Sequence, residues 1–170
     1  SKESLQKSAP GSILFLSNCV GFSQSNEESL WDIIRIMAKG YDLGDFGSSI
    51  TADKYPNLKT NNDDPLCLIA ILELLKLGNQ NDLESLACVV AQNILSNRFH
   101  NGFFVPTKNH INARIDSLEA LSLTSLAAYL LGVGDQVAEY AGSDGFFHVP
   151  FDGINRTDDK VAIWDRMSEA

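Results

Sequence analysis

Two stretches of this sequence are apolar on nearly every side of a helix. Leu66 to Leu77 carries only Glu73 and Lys76 as charges, and Leu118 to Leu131 carries only Glu119. A helix of that kind cannot lay one stripe on a core and show the rest to water. It has to be covered on most sides, as an inner helix is. Both runs are short and interrupted by polar residues, so neither reads as a membrane span or a signal segment.

The rest of the chain is punctuated around these two runs. Ser25-x-x-Glu28 reads as a capping box ahead of Leu30, Trp31, Ile33, Ile34, Met37 and Ala38, which predicts an amphipathic helix over 26–39 stopped by Gly40. Asp63-Asp64-Pro65 puts a carboxylate at an N-cap and proline at the first helical position of the Leu66 run, and Gly78 stops that run. Asn81-x-x-Glu84 opens a further helix through Leu83, Leu86, Val90, Ile94 and Leu95, so the pair forms a helical hairpin. Asp116-x-x-Glu119 opens the Leu118 run, Gly132 closes it, and a short helical turn is expected at Gln136–Tyr140. Residues 1–25 read as an irregular arm around the apolar stretch Ile13–Leu16. Residues 40–62 and 98–115 read as long loops, and long loops in compact domains commonly carry function. The fold class is therefore mainly α, in helical hairpins with long loops and a few short strands, such as a pair after Gly142.

Length and composition narrow the classes. The 170 residues suffice for one domain with a real core, and 44% hydrophobic with 21% charged residues is globular. The net charge of −9 argues against nucleic acid and against anionic membranes, which need a basic face. The three cysteines, Cys19, Cys67 and Cys88, include no C-x-x-C and read as buried free thiols. No Walker, G-x-S-x-G or H-E-x-x-H motif occurs, and the three histidines are not at metal-ligand spacing.

Chemistry-bearing residues gather in three places. Lys108, Asn109, His110 and Arg114 with Asp116 put cations on one loop of an acidic chain. Such a loop suits carboxylates, Arg by its bidentate fork and Lys as a point charge. Equally, Lys108 can be solvated and Arg114 paired with Asp116. A second group joins His148, Asp152, Arg156, Asp158 and Asp159 to Phe146, Phe147 and Phe151, and aromatics beside polar groups suit sugar rings. The same aromatics can equally close the core. The glycine-rich loop 40–47 carries Tyr41, Asp42 and Asp45 but is no dinucleotide fingerprint. His100 reads as a helix C-cap or loop histidine. One run recurs: Asn-Gly-Phe-Phe-Val-Pro at 101–106 returns as Asp-Gly-Phe-Phe-His-Val-Pro at 144–150, each copy leading to an Arg-x-Asp triplet.

The run Arg98-Phe-His-Asn-Gly-Phe-Phe-Val-Pro-Thr-Lys-Asn-His110, with Ala113-Arg-Ile-Asp116 and the helix to Leu131, resembles the C-terminal half of pectate lyases of the periplasmic, family 2 type. Residues 145–158 and the loop Tyr41-Asp-Leu-Gly-Asp45 are similar too, so the likeness spans about residues 28–165. The resemblance implies an α/α toroid whose cleft binds polygalacturonate and cleaves it by β-elimination with a divalent metal, manganese or calcium. It implies substrate-binding roles for Lys108, His110, Arg114 and Arg156, and for His148, Tyr41 and Asp45 in the other matching segments. The family's catalytic arginine is followed directly by a metal-ligand histidine, and this sequence has no Arg-His dipeptide. A toroid needs about a dozen helices, more than roughly 300 residues at ordinary helix and loop lengths. The expectation is a segment of such a toroid, partnered by the missing half or by a second copy, periplasmic or secreted, and inactive alone. The alternatives are a non-catalytic helical carbohydrate-binding or protein-interaction domain, and a glycoside hydrolase using two of Asp45, Asp152, Asp158 and Asp159.

Overall fold

The computed structural model describes residues 9–78, 80–100, 102–105, 112–114, 118–137, 147–150 and 163–164. The fold is mainly α. Two compact units, Ser1–Asn93 and Ile94–Ala170, meet within one helix and are described separately.

In the first unit, helix α1 spans Ala9–Ser25, where the sequence suggests an irregular arm. Its signal is a stripe of Phe15, Cys19 and Phe22, all buried at helical spacing. The polar residues between them do not break the helix because they bond back to it. Ser17 Oγ donates to the Ile13 carbonyl at 2.8 Å and Asn18 Nδ2 to that of Leu14 at 2.7 Å. Ser25 Oγ likewise donates to the Gly21 carbonyl at 2.8 Å and accepts from the Glu27 amide at 3.3 Å, so it ties the end of α1 to the residue that enters the next helix. The chain reverses at Asn26, whose φ of 54° is a left-handed value that asparagine tolerates.

Helix α2, Glu28–Gly40, has Glu27 as its N-cap without a side-chain cap bond, and it buries Trp31, Ile34 and Ala38. Trp31 lies 5.0 Å from Phe22 of α1. The predicted long loop that follows is an ordered, tied structure. Strands β1 (Gly44–Asp45) and β2 (Tyr55–Pro56) pair antiparallel. Gly44 sits at φ 103°, and a Cβ there would lie 2.5 Å from the Tyr55 carbonyl oxygen, so only glycine fits. Lys54, 8% exposed, donates to the carbonyls of Ile50 (2.6 Å) and Ala52 (3.1 Å), with its ammonium 5.8 Å from the Trp31 ring centre.

Helix α3, Pro65–Leu75, begins as the sequence predicts. Asp64 Oδ1 accepts from the Leu66 amide at 2.9 Å, and Pro65 takes the first helical turn. Cys67, Leu68, Ala70, Ile71, Leu72, Leu74 and Leu75 are buried, which is the all-round covering its composition demands, and α1 packs against it. Helix α4, Asn81–Arg98, buries Leu83, Leu86 and Val90. Its Asn93 Nδ2 donates to the carbonyls of Thr60 (2.9 Å) and Asn62 (3.0 Å), which pins the end of the loop.

The second unit opens where α4 ends. Strands β3 (Phe99–His100) and β4 (Phe103–Phe104) form a tight hairpin. Strands β5 (Asn112–Arg114), β6 (Phe147–Pro150) and β7 (Ile163–Trp164) form an antiparallel sheet with β6 central. Phe103–Phe104 of the first repeat copy and Phe147–Pro150 of the second thus lie in strands. Helix α5, Leu118–Leu131, buries Ser122, Leu126 and Ala128 but leaves Leu130 half-exposed and Leu131 exposed. Its all-round apolarity is therefore covered less completely than that of α3. Gly132, at φ 69°, ends it, with the Val133 amide bonded to the Ala128 carbonyl. A short 3-10 turn follows at Gly134–Gln136, and most of the turn expected at Gln136–Tyr140 lies outside the described residues.

Candidate functional site

The second unit brings two of the predicted binding residues together. Arg114 of β5 stands directly opposite His148 of β6 in the antiparallel register, and Ala113 opposite Val149. Directly opposed residues have Cβ atoms about 5 Å apart. Two residues far apart in sequence thus become cross-strand neighbours. Lys108, His110 and Arg156, together with Asp152, Asp158 and Asp159, lie outside the described residues. So does Asp116, the expected cap of α5.

The same unit holds a long-range ion pair. Arg98 Nη1, at the end of α4, donates to Glu119 Oε1 of α5 at 2.9 Å, and both side chains are largely buried. The Glu119 carboxylate pairs with Arg98, and the expected capping box Asp116-x-x-Glu119 falls partly outside the described residues. His100 turns its Nε2 to the Asn97 carbonyl at 2.8 Å, in keeping with a C-cap histidine.

The remaining two candidates belong to the first unit. Tyr41 is 4% exposed, its ring 5.8 Å from that of Phe15, and its buried hydroxyl has no hydrogen-bond partner among the described residues. Burial raises its pKa, with Cys67 and Asp64 adding to the effect. Asp45 is half-buried, with its side chain 41% exposed. Its carboxylate takes Lys39 Nζ at 2.8 Å and the Gly47 amide at 2.9 Å, and the hydrogen bond from Lys39 leads in lowering its pKa. Both are thus engaged in shaping the 40–62 loop. A cavity of about 560 Å³ in the same unit, lined by Asn26, Thr51, Asp53, Lys54 and Asp82 among others, includes neither.

Cys19 and Cys67 are buried free thiols, as expected, with pKa values raised mainly by desolvation. Cys88 differs: it is exposed on α4. Among the described residues no group of three or more His, Cys, Asp or Glu could hold a metal ion. No helix among them is long and apolar enough to cross a membrane.

The sequence reading leaves Phe99–Phe104 inside the long loop 98–115, although the signal for a hairpin was present, since Phe99-His100 and Phe103-Phe104 flank Asn101-Gly102, a strong turn sequence.

A family model described as "Periplasmic pectate lyase" matches residues 1–150. That match covers most of the chain, including both helical runs, the β3–β4 hairpin and the strands that pair Arg114 with His148, so the chain belongs to the periplasmic pectate lyase family.

Proposed function

We propose that this chain takes part in the cleavage of an acidic polysaccharide, polygalacturonate, by β-elimination, and that its share is to hold the uronate. The observation that carries this reading is the register of Arg114 opposite His148 in a chain of this family. An arginine fork matches a carboxylate bidentately, and a neighbouring imidazole adds a hydrogen bond or a second positive charge. Pairing the carboxylate makes the adjacent C–H easier to deprotonate, because charge spreading into that group in the transition state is already countered. The proton leaves C5, the C4–oxygen bond breaks, a C4–C5 double bond forms, and the departing oxygen is protonated.

No base is assigned. The sequence has no Arg-His dipeptide, so the family's catalytic pair cannot be matched onto it. The family resemblance implies manganese or calcium, yet the described residues offer no cluster of metal-ligating side chains, and no step is routed through a metal. Lys108, His110 and Arg156 belong to the proposed substrate set by their matching loops. The helical hairpins belong to an α/α toroid on this reading, with the exposed Leu130 and Leu131 awaiting a further layer or second copy. A periplasmic or extracellular location goes with the family description.

Incubation of the chain with polygalacturonate and calcium or manganese tests this directly. Binding without growth of the unsaturated-uronide absorbance is expected. Steady growth of that band from the chain alone would overturn the absence of a complete catalytic set.

A further inference from the structure

Residues alternate between the two faces of a strand, and directly opposed residues share a face. The register of the β5–β6–β7 sheet therefore sorts its residues into two sets. Ala113, Phe147, Val149 and Trp164 fall on one face, which is apolar and aromatic. Asn112, Arg114 and His148 fall on the other, along with Pro150 and Ile163. The basic and amide residues of the three strands thus all share one face.

Pro150 refines this geometry. It has no N–H, so its rung with Asn112 cannot exchange the two backbone hydrogen bonds of a hydrogen-bonded pair. The two kinds of rung alternate, so Arg114–His148, two rungs along, is non-hydrogen-bonded as well, the kind in which opposed residues stand closer. Both basic residues are thus near enough to serve one carboxylate. Asn112 is two residues from Arg114 on β5, about 7 Å along the strand. That spacing is comparable to the span of one uronate, from its carboxylate to the hydroxyl on the opposite ring carbon. Asparagine is also among the residues that strands disfavour, so strand pairing alone does not account for it there.

We propose that Asn112 is a specificity-determining residue of the uronate site, reading the ring hydroxyls of the sugar whose carboxylate Arg114 and His148 hold. The inference rests on the uronate-binding reading above and adds the residue that recognises the rest of the ring. An amide offers a donor and an acceptor side by side, the match for two vicinal hydroxyls such as O2 and O3. The amide is neutral, so salt screening leaves its contribution nearly untouched, whereas it weakens the carboxylate pairing. Acetylation at O2 or O3 removes a hydroxyl donor and adds bulk at the same place. The site therefore discriminates against acetylated uronate.

The test is a calorimetric titration of the chain with a short oligogalacturonate and with the same oligomer acetylated at O2 and O3, comparing wild type, N112A, N112V and R114A. Valine suits a strand better than asparagine does, so N112V separates loss of the amide from loss of the fold. Wild type is expected to bind the free oligomer at least about 10-fold more tightly than the acetylated one. N112A and N112V are expected to bind the free oligomer about 3- to 10-fold more weakly, equally at low and high salt, and to lose most of that preference. R114A is expected to weaken binding of both oligomers and to keep the preference. Wild-type affinity and preference in N112A and N112V, alongside an impaired R114A, overturns the role of Asn112 and leaves the uronate reading standing. A weakened N112V whose preference is intact marks a structural effect and does the same, as does a wild type that binds both oligomers equally. No binding by wild type, or wild-type affinity in R114A, overturns the uronate reading and this inference with it.

Discussion

Arg114 and His148 stand opposite each other across one rung of an antiparallel ladder, although they lie 34 positions apart in sequence. That relationship makes a specific demand on the chemistry. A flat guanidinium fork can take both oxygens of a carboxylate, whereas an ammonium meets them as a point. R114A is therefore expected to weaken oligogalacturonate binding at least about 10-fold, equivalent to about 1.4 kcal/mol. R114K should restore only part of it, and H148A should cost less than R114A. Titrations of the three variants check the order.

The Arg98–Glu119 pair anchors the start of α5 to the end of α4, with side chains 24% and 15% exposed. Removing one partner leaves the other's charge poorly solvated. E119A should destabilise the chain by about 1–3 kcal/mol, more than an exposed pair would. Urea unfolding monitored by circular dichroism reads the change, and an R98M/E119L double variant should recover part of the loss.

At the start of α3, Asp64 Oδ1 holds the Leu66 amide at 2.9 Å. D64A should cost about 1 kcal/mol, and D64S should cost much less, because serine keeps an acceptor at the cap. Thermal melts distinguish the two.

The thiols and Tyr41 set an alkaline limit. Cys19, Cys67 and Tyr41 have folded pKa values raised above their ordinary 9.0, 9.0 and 10.0, mainly by burial. A raised pKa here means that the folded state keeps its proton while the unfolded chain loses it. Their contribution to stability should therefore be flat below about pH 8 and fall as pH rises past 9, by up to about 1.4 kcal/mol per pH unit for each group. Denaturant unfolding at pH 7, 9 and 10 measures this. In native buffer, iodoacetamide should label Cys88 quickly and Cys19 and Cys67 only on unfolding.

What the sequence made legible was local. Asp64 and Pro65 start α3 because a cap and a fixed φ act within one turn, and Gly78 and Gly132 stop helices for the same reason. The all-round apolarity of Leu66–Leu75 correctly demanded cover. The misses were cases where a partner lay elsewhere or the pattern was diluted. Helix α1 hid its Phe15, Cys19 and Phe22 stripe among serines and asparagines that bond to their own helix. Glu119 pairs with Arg98, 21 residues away, a partner that no local pattern announces. The 40–62 segment looked like a loop free for function, yet Lys54, Asn62 and Asn93 tie it down through distant carbonyls. Of the candidate site, the cationic residue types and their loops could be read from sequence. The pairing of Arg114 with His148 could not, because strand register joins segments that share no local pattern.

The central claim is that this member of the pectate lyase family holds uronate through the Arg114–His148 ladder. A calorimetric titration of wild type and R114A with oligogalacturonate tests it most directly. The account predicts saturable wild-type binding that weakens with salt and falls at least about 10-fold in R114A. Equal binding by a folded R114A, or saturable binding indifferent to both salt and this substitution, would contradict it.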